Sequence, residues 1–176
     1  GFNFISFEPP SQNWNFNNEY ISRGFANQYG ARPNASNPTG RDLDRIFREK
    51  REMNEVFKSF RSEKNIDINF SLPSEGIISS EFGLRRYLNG QARSPHSGID
   101  IAASQGTSVH APSSGIVAKI GDFFFNGKTV LLDHGQGLIT MYCHLSKINV
   151  NEYEKIEKGE KIGEIGMTGR VTGAHL

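Results

Sequence analysis

The sequence predicts a mainly β protein: an antiparallel β-sandwich or barrel-like domain with a groove, preceded by an irregular arm and one connecting helix. From Phe70 onward, short β-type runs are divided by Gly, Pro and Asn, with no long helical pattern between them. Closely spaced strands without crossover helices pair antiparallel, as in sandwiches and barrels. Asn126-Gly127 separates the runs Phe123–Phe125 and Lys128–Leu132, and both residues tolerate the positive φ of a hairpin turn. Glycine, at 19 of 176 residues, also favours many tight turns over a helical bundle.

Residues 1–40 are the arm. Phe2, Phe4, Phe7, Trp14, Phe16, Tyr20, Phe25 and Tyr29 stand among asparagines, and Pro9, Pro10, Pro33 and Pro38 break any repeat. Such a segment does not fold alone, yet it carries too many aromatics for a solvated linker. It is expected to pack on the main domain or a neighbouring chain; covering an active-site groove is the functional alternative. Residues 41–69 are a connecting helix and linker. Leu43, Ile46, Met53, Phe57 and Phe60 recur at a 3–4 spacing between Arg41 and Lys64, Phe47 and Val56 widen the stripe, and Lys50 interrupts it. Thr39 is the candidate N-cap, with Asp42 three residues on. The stripe suits a coiled-coil seam or a helix laid on a domain, and we read it as a connector. Residues 70–176 form the β-domain, with candidate strands 77–82, 99–102, 107–110, 115–120, 129–133, 138–143, 148–150 and 161–165.

Charge and cysteine content narrow the partners. Twenty basic and nineteen acidic residues leave +1, so no overall field recruits nucleic acid or an anionic membrane. No apolar run approaches the ~18 residues of a membrane span. The single cysteine, Cys143, excludes an intramolecular disulfide framework and a Cys-rich metal site. The chain starts at Gly1 with no leader, so either a signal was removed or the sequence begins within a longer one.

All five histidines (His96, His110, His134, His144 and His175) fall in the β-domain, where only His and carboxylates can supply transition-metal ligands. His96-Ser-Gly-Ile-Asp100 reads as a histidine at a turn followed by a strand. Ile99 and Ile101 then face the core and Asp100 faces away. A carboxylate so placed needs a partner, and a cation is one candidate. In Met141-Tyr-Cys-His-Leu145, alternation puts Tyr142 and His144 together, able to project into a groove, and Cys143 opposite. Gly166 to Leu176 is glycine-rich, with His175 where a last strand begins.

Several ordered segments resemble the lysostaphin-type (LytM-like) peptidoglycan metalloendopeptidases. They are Glu81-Phe-Gly-x-Arg85, Pro95-His-Ser-Gly-Ile-Asp-Ile-Ala-Ala103, Gly106-Thr-x-Val-x-Ala-Pro112, Leu132-Asp-His-Gly-x-Gly137, Tyr142-x-His-Leu145 and Gly169-x-x-Thr-Gly-x-His-Leu176. The resemblance runs from Ile77 to Leu176. It implies zinc held by His96 and Asp100, with His144 and His175 as catalytic non-ligand histidines. His134 matches a structural turn, and His110 matches no catalytic position. The family's third ligand is the second His of a terminal H-x-H, whose place lies one residue past Leu176. The resemblance therefore implies a domain that continues, and a chain ending at Leu176 is expected to bind zinc weakly and to be inactive unless another group substitutes. The implied activity is a zinc-dependent endopeptidase cutting peptide cross-links of peptidoglycan, in an exported protein of the periplasm or cell envelope.

Three rivals compete. A non-catalytic LytM-like module would bind or activate other cell-wall hydrolases, but here H-x-x-x-D and both non-ligand histidines remain. A lipoyl- or biotinyl-type carrier shares Ala111–Val117 and Ile156–Gly163 in outline, yet Lys128 lacks the neighbours of a modified lysine. A serine hydrolase lacks its Gly-x-Ser-x-Gly elbow.

Overall fold

A computed structural model describes residues 40–85, 87–88, 91–92, 95–171 and 173–176. The arm and the Thr39 cap lie outside these described residues. Helix α1 spans Gly40–Lys58. The strands are β1 (Ile77–Ser80), β2 (Tyr87–Leu88), β3 (Gln91–Ala92), β4 (Asp100–Ala102), β5 (Ser108–His110) and β6 (Gly115–Phe123). They continue with β7 (Gly127–Gly135), β8 (Leu138–Leu145), β9 (Lys147–Ile148), β10 (Lys155–Ile156) and β11 (Lys161–Glu164). No helix among the described residues is long and apolar enough to cross a membrane.

The main sheet has the order β10-β6-β7-β8, and a second sheet the order β5-β11-β9; β1 pairs with β4 and β2 with β3. Every pairing among these named strands is antiparallel. Val117, Val130, Leu132, Tyr142 and Leu145 of the main sheet pack with Val109 and Ile162 of the second. Ile156 and Ile165 complete the centre of this core. Each such aliphatic side chain, fully buried, contributes about 1.5–3 kcal/mol relative to exposure.

The helix is shorter than its periodicity predicts. It stops at Lys58, and the residues that follow are tied to the main sheet instead of continuing the helix. Arg61 Nε donates to Asp133 Oδ2 (2.9 Å), and the Arg61 carbonyl accepts from Gln136 N–H (2.8 Å). Farther along, Ser113 Oγ donates to the Asp67 carbonyl (2.7 Å) and His110 N–H to the Pro73 carbonyl (2.7 Å). The stripe is also less buried than predicted: Ile46 is buried, whereas Phe47, Phe57 and Phe60 are exposed. Polar groups fasten α1 instead, with Arg45 Nη2 donating to the Asp122 carbonyl (2.6 Å) and Glu49 Oε2 accepting Phe124 N–H (2.7 Å).

The predicted hairpin is present with a longer turn. Phe123 pairs with Gly127, so Phe124–Asn126 form the turn, and only Gly127 takes positive φ (63°). A Cβ on Gly127 would stand 2.3 Å from the Thr168 backbone carbon, because the segment at Thr168–Gly169 crosses directly over it. Lys128 N–H donates to Thr168 Oγ1 (2.9 Å) at this crossing.

Gly127→Ala should therefore combine left-handed strain with overpacking and lower stability by about 2–4 kcal/mol. Urea unfolding measures this, and a midpoint equal to wild type would contradict the crossing.

Candidate active site

Strand β4 carries the first half of the site. Ile101 is 2% exposed and Asp100 is half-buried, as alternation requires. Ile99 does not join the core. It is 42% exposed because it precedes the first residue that pairs with β1. His96 Nε2 lies 3.0 Å from Asp100 Oδ1. Its other nitrogen, Nδ1, meets the Glu81 carbonyl (3.1 Å) and Ser80 Oγ (2.9 Å). With the hydrogen on Nδ1 and donated to the Glu81 carbonyl, Nε2 presents its lone pair to the carboxylate; with the Ser80 hydroxyl donating to Nδ1, Nε2–H donates to it instead. In the first arrangement the two lone-pair groups would need a positive charge between them, either a proton or a metal ion.

Strand β8 carries His144 by a departure from simple alternation. Lys128 pairs with Leu145 and Val130 with Tyr142, so Cys143 and His144 together oppose Thr129. This extra residue is a β-bulge, which turns a side chain out of the regular order. His144 has φ of 62°, a left-handed conformation that His tolerates better than most residues. Its N–H donates to the Asn126 carbonyl (2.7 Å).

The bulge corrects the expectation that Tyr142 shares a groove with His144. Tyr142 is 4% exposed and packs in the core, three residues from the equally buried Leu145. Its hydroxyl meets Thr140 Oγ1 (2.7 Å), and burial pushes its pKa up. Cys143 is half-buried, with Asn126 Nδ2 donating to its sulfur (3.2 Å), and desolvation raises the thiol pKa.

The final segment brings His175 beside this pair of strands. His175 bridges Ala102 and Gly166, and Leu176 exchanges both backbone hydrogen bonds with Ile101 (3.0 Å each). The rings of His175 and His144 lie 4.8 Å apart between centroids. The Nδ1 of His144 donates to the Thr168 carbonyl (3.0 Å) and that of His175 to the Gly173 carbonyl (3.0 Å). Both rings thus keep Nε2 as the basic nitrogen. Burial, the largest influence, holds the His144 pKa below the usual range. The Thr168 carbonyl and the Asp100 charge oppose that shift, while His175 adds to it.

The structure thus joins His96 to Asp100 and His144 to His175, with Asp100 close enough to act on His144. Among the described residues, no three His, Cys, Asp or Glu side chains form a group able to hold a metal. His134 is elsewhere, buried, with Nδ1 on the Ser114 carbonyl and Nε2 on Thr140 Oγ1 (2.8 Å each). His110 is half-buried on β5. Sequence reasoning missed the groups that orient the three site histidines. The Glu81, Thr168 and Gly173 carbonyls have no side-chain signature, although Glu81 and Gly173 lie inside quoted motifs.

Fold and site define a β-sheet protein with histidines and one aspartate gathered at the meeting of β4, β8 and the final segment. The model of Peptidase family M23 matches residues 94–176. Peptidoglycan DD-endopeptidase ShyA of Vibrio cholerae serotype O1 is 40% identical over 108 residues, 61% of this chain and 25% of that protein. A crystal structure from Pseudomonas aeruginosa, assigned as a peptidase M23, superposes with a TM-score of 0.70 and 42% identity. It covers 80% of this chain and 57% of that one. The structure of LytU superposes with a TM-score of 0.50 and 31% identity, covering 65% of this chain and 76% of that one. The chain belongs to peptidase family M23, the LytM-like group. It spans about a quarter of the length of the curated relatives it matches.

His134 offers a pH prediction independent of the site. Burial lowers its pKa from 6.5, so the folded state prefers the neutral ring. As pH falls below 6.5 the unfolded chain binds the proton first, and stability drops until the lowered folded pKa is passed. NMR titration of the His134 ring should give a midpoint below 6.5. A midpoint at or above that value would contradict the burial argument.

Proposed function

We propose that this protein is a zinc-dependent endopeptidase that hydrolyses peptide cross-links of bacterial peptidoglycan and works outside the cytoplasm. The observation that carries the reading is the His96–Asp100 contact at 3.0 Å, with His96 Nδ1 tied to a carbonyl. Metal-binding histidines are oriented in this way, through the second ring nitrogen. The curated relative's name, a peptidoglycan endopeptidase, supports the substrate.

His96 Nε2 and an Asp100 oxygen would hold the metal, filling two of the family pattern's three ligand positions. The donor chemistry fits, since imidazole and carboxylate both suit Zn2+. When bound, zinc supplies a Lewis acid and a water acidic enough to ionise near neutral pH. His144, kept neutral by burial, can accept a proton at Nε2 because Thr168 holds the hydrogen on Nδ1. His175 has the same tautomer and can hydrogen-bond a substrate oxygen once protonated, or share the proton with His144. The positive φ of His144 keeps its ring from following Tyr142 into the core, so its base remains at the site.

Digesting purified cell wall with the full chain and identifying the new amine by mass spectrometry tests the reaction and identifies the bond cut. Asp100→Ala should lose retained zinc and turnover together. His144→Ala should keep zinc and lose turnover by about 10²–10⁴-fold. Zinc content equal to wild type in the Asp100 variant would remove Asp100 from the ligand set. A protein that carries all three ligands of the family pattern, yet binds wall without releasing any new amine, would instead indicate a non-catalytic module.

A further inference from the structure

Helix α1 lies wholly outside residues 94–176, yet one of its side chains reaches the turn that supports His144. Glu49 is 8% exposed, a buried carboxylate on a helix whose outer face is charged. Its Oε2 accepts Phe124 N–H at 2.7 Å, while Oε1 is paired with Arg45 one helical turn away. Arg45 in turn donates to the Asp122 carbonyl, and its guanidinium lies 5.8 Å from the centre of the Phe124 ring. Helix and turn are therefore joined by a charge-assisted hydrogen bond and by the cation held beside it.

The same turn controls His144 from two sides. The Asn126 carbonyl accepts His144 N–H (2.7 Å), which fixes the left-handed backbone at the bulge. The Phe125 carbonyl accepts Arg170 N–H (3.0 Å), two residues after Thr168. Thr168 then presents the carbonyl that holds His144 Nδ1. Three consecutive turn residues thus connect Glu49 to both the main chain and the ring of His144.

We propose that Glu49 is a positioning residue for His144, acting through the Phe124–Asn126 turn. The inference rests on the reading of His144 as a catalytic base. Glu49 touches no reacting atom in that scheme. It holds the turn at the height at which Asn126 and Thr168 can orient the imidazole. The physical need is plain, since an unusual backbone conformation persists only where its surroundings over-determine it. A base displaced by a fraction of an ångström loses much of its effect.

Two measurements on Glu49→Ala and Glu49→Gln in the full chain test this. Glu49→Ala should lower kcat on cross-linked wall fragments by about tenfold or more with KM nearly unchanged, and Glu49→Gln, which keeps an acceptor oxygen, should restore most of it. Amide hydrogen exchange should show lost protection at His144 and Phe124 in Glu49→Ala, with protection at the core residues Val130 and Leu132 retained. Wild-type kcat in Glu49→Ala, or His144 protection equal to wild type, would overturn the proposal. So would an equal loss of protection at Val130 and Leu132, which marks general destabilisation. If a wild-type protein carrying the third ligand of the family pattern cuts no wall, the endopeptidase reading fails, while the exchange measurement still decides whether Glu49 holds His144.

Discussion

The hydrogen bond from His144 N–H to the Asn126 carbonyl is the constraint on which the site depends. Strand β8 would otherwise alternate regularly, and a residue two places after Tyr142 would face the core with it. The bond stabilises one extra residue on β8, opposite Thr129, and so sends Tyr142 and Leu145 inward while His144 turns out. The donor of that constraint is on β8, the acceptor is in the β6–β7 turn, and Gly127 lets the Thr168 segment close over both. The placement of His144 thus arises from a backbone irregularity held by its neighbours.

Backbone carbonyls also decide the chemistry of the rings. His96, His144 and His175 each place Nδ1 against a main-chain oxygen, from Glu81, Thr168 and Gly173. His144 and His175, with only a carbonyl on Nδ1, therefore present the nitrogen farther from the backbone as the basic one. His134 uses the same device with the Ser114 carbonyl, but its Nε2 is taken by Thr140 in a buried chain ending at Tyr142. Position, more than residue type, separates the site histidines from the packing one.

Much of this was legible in the residues. Period-two patterning and glycine punctuation gave the antiparallel β class, and Asn126-Gly127 marked the central hairpin. The ordered motifs pointed to the family, and singled out His96, Asp100, His144 and His175, which the structure places as two pairs. Tyr142 was misread because alternation assumes an unbroken ladder, and the bulge depends on an acceptor in another strand connection. Ile99 was misread by one position at a strand start. The end of α1 was hidden for a similar reason: Arg61 and Gln136 are distant in sequence, and their contacts hold 59–64 out of the helix despite the apolar spacing.

Residues 59–73 also change how the molecule transmits force. A linker that contacts nothing acts as a slack tether, and whatever is attached to one end swings freely. Here the segment is fastened at Arg61, Asp67, Ser71 and Pro73 to carbonyls, amides and side chains of the β-domain. Tension applied to α1 would load β6 and its turn first, at Asp122 and Phe124, and then the sheet at Asp133, before it reached β1. The segment therefore works as a mechanical splice, and anything that grips the helix also holds the β-domain in a fixed orientation.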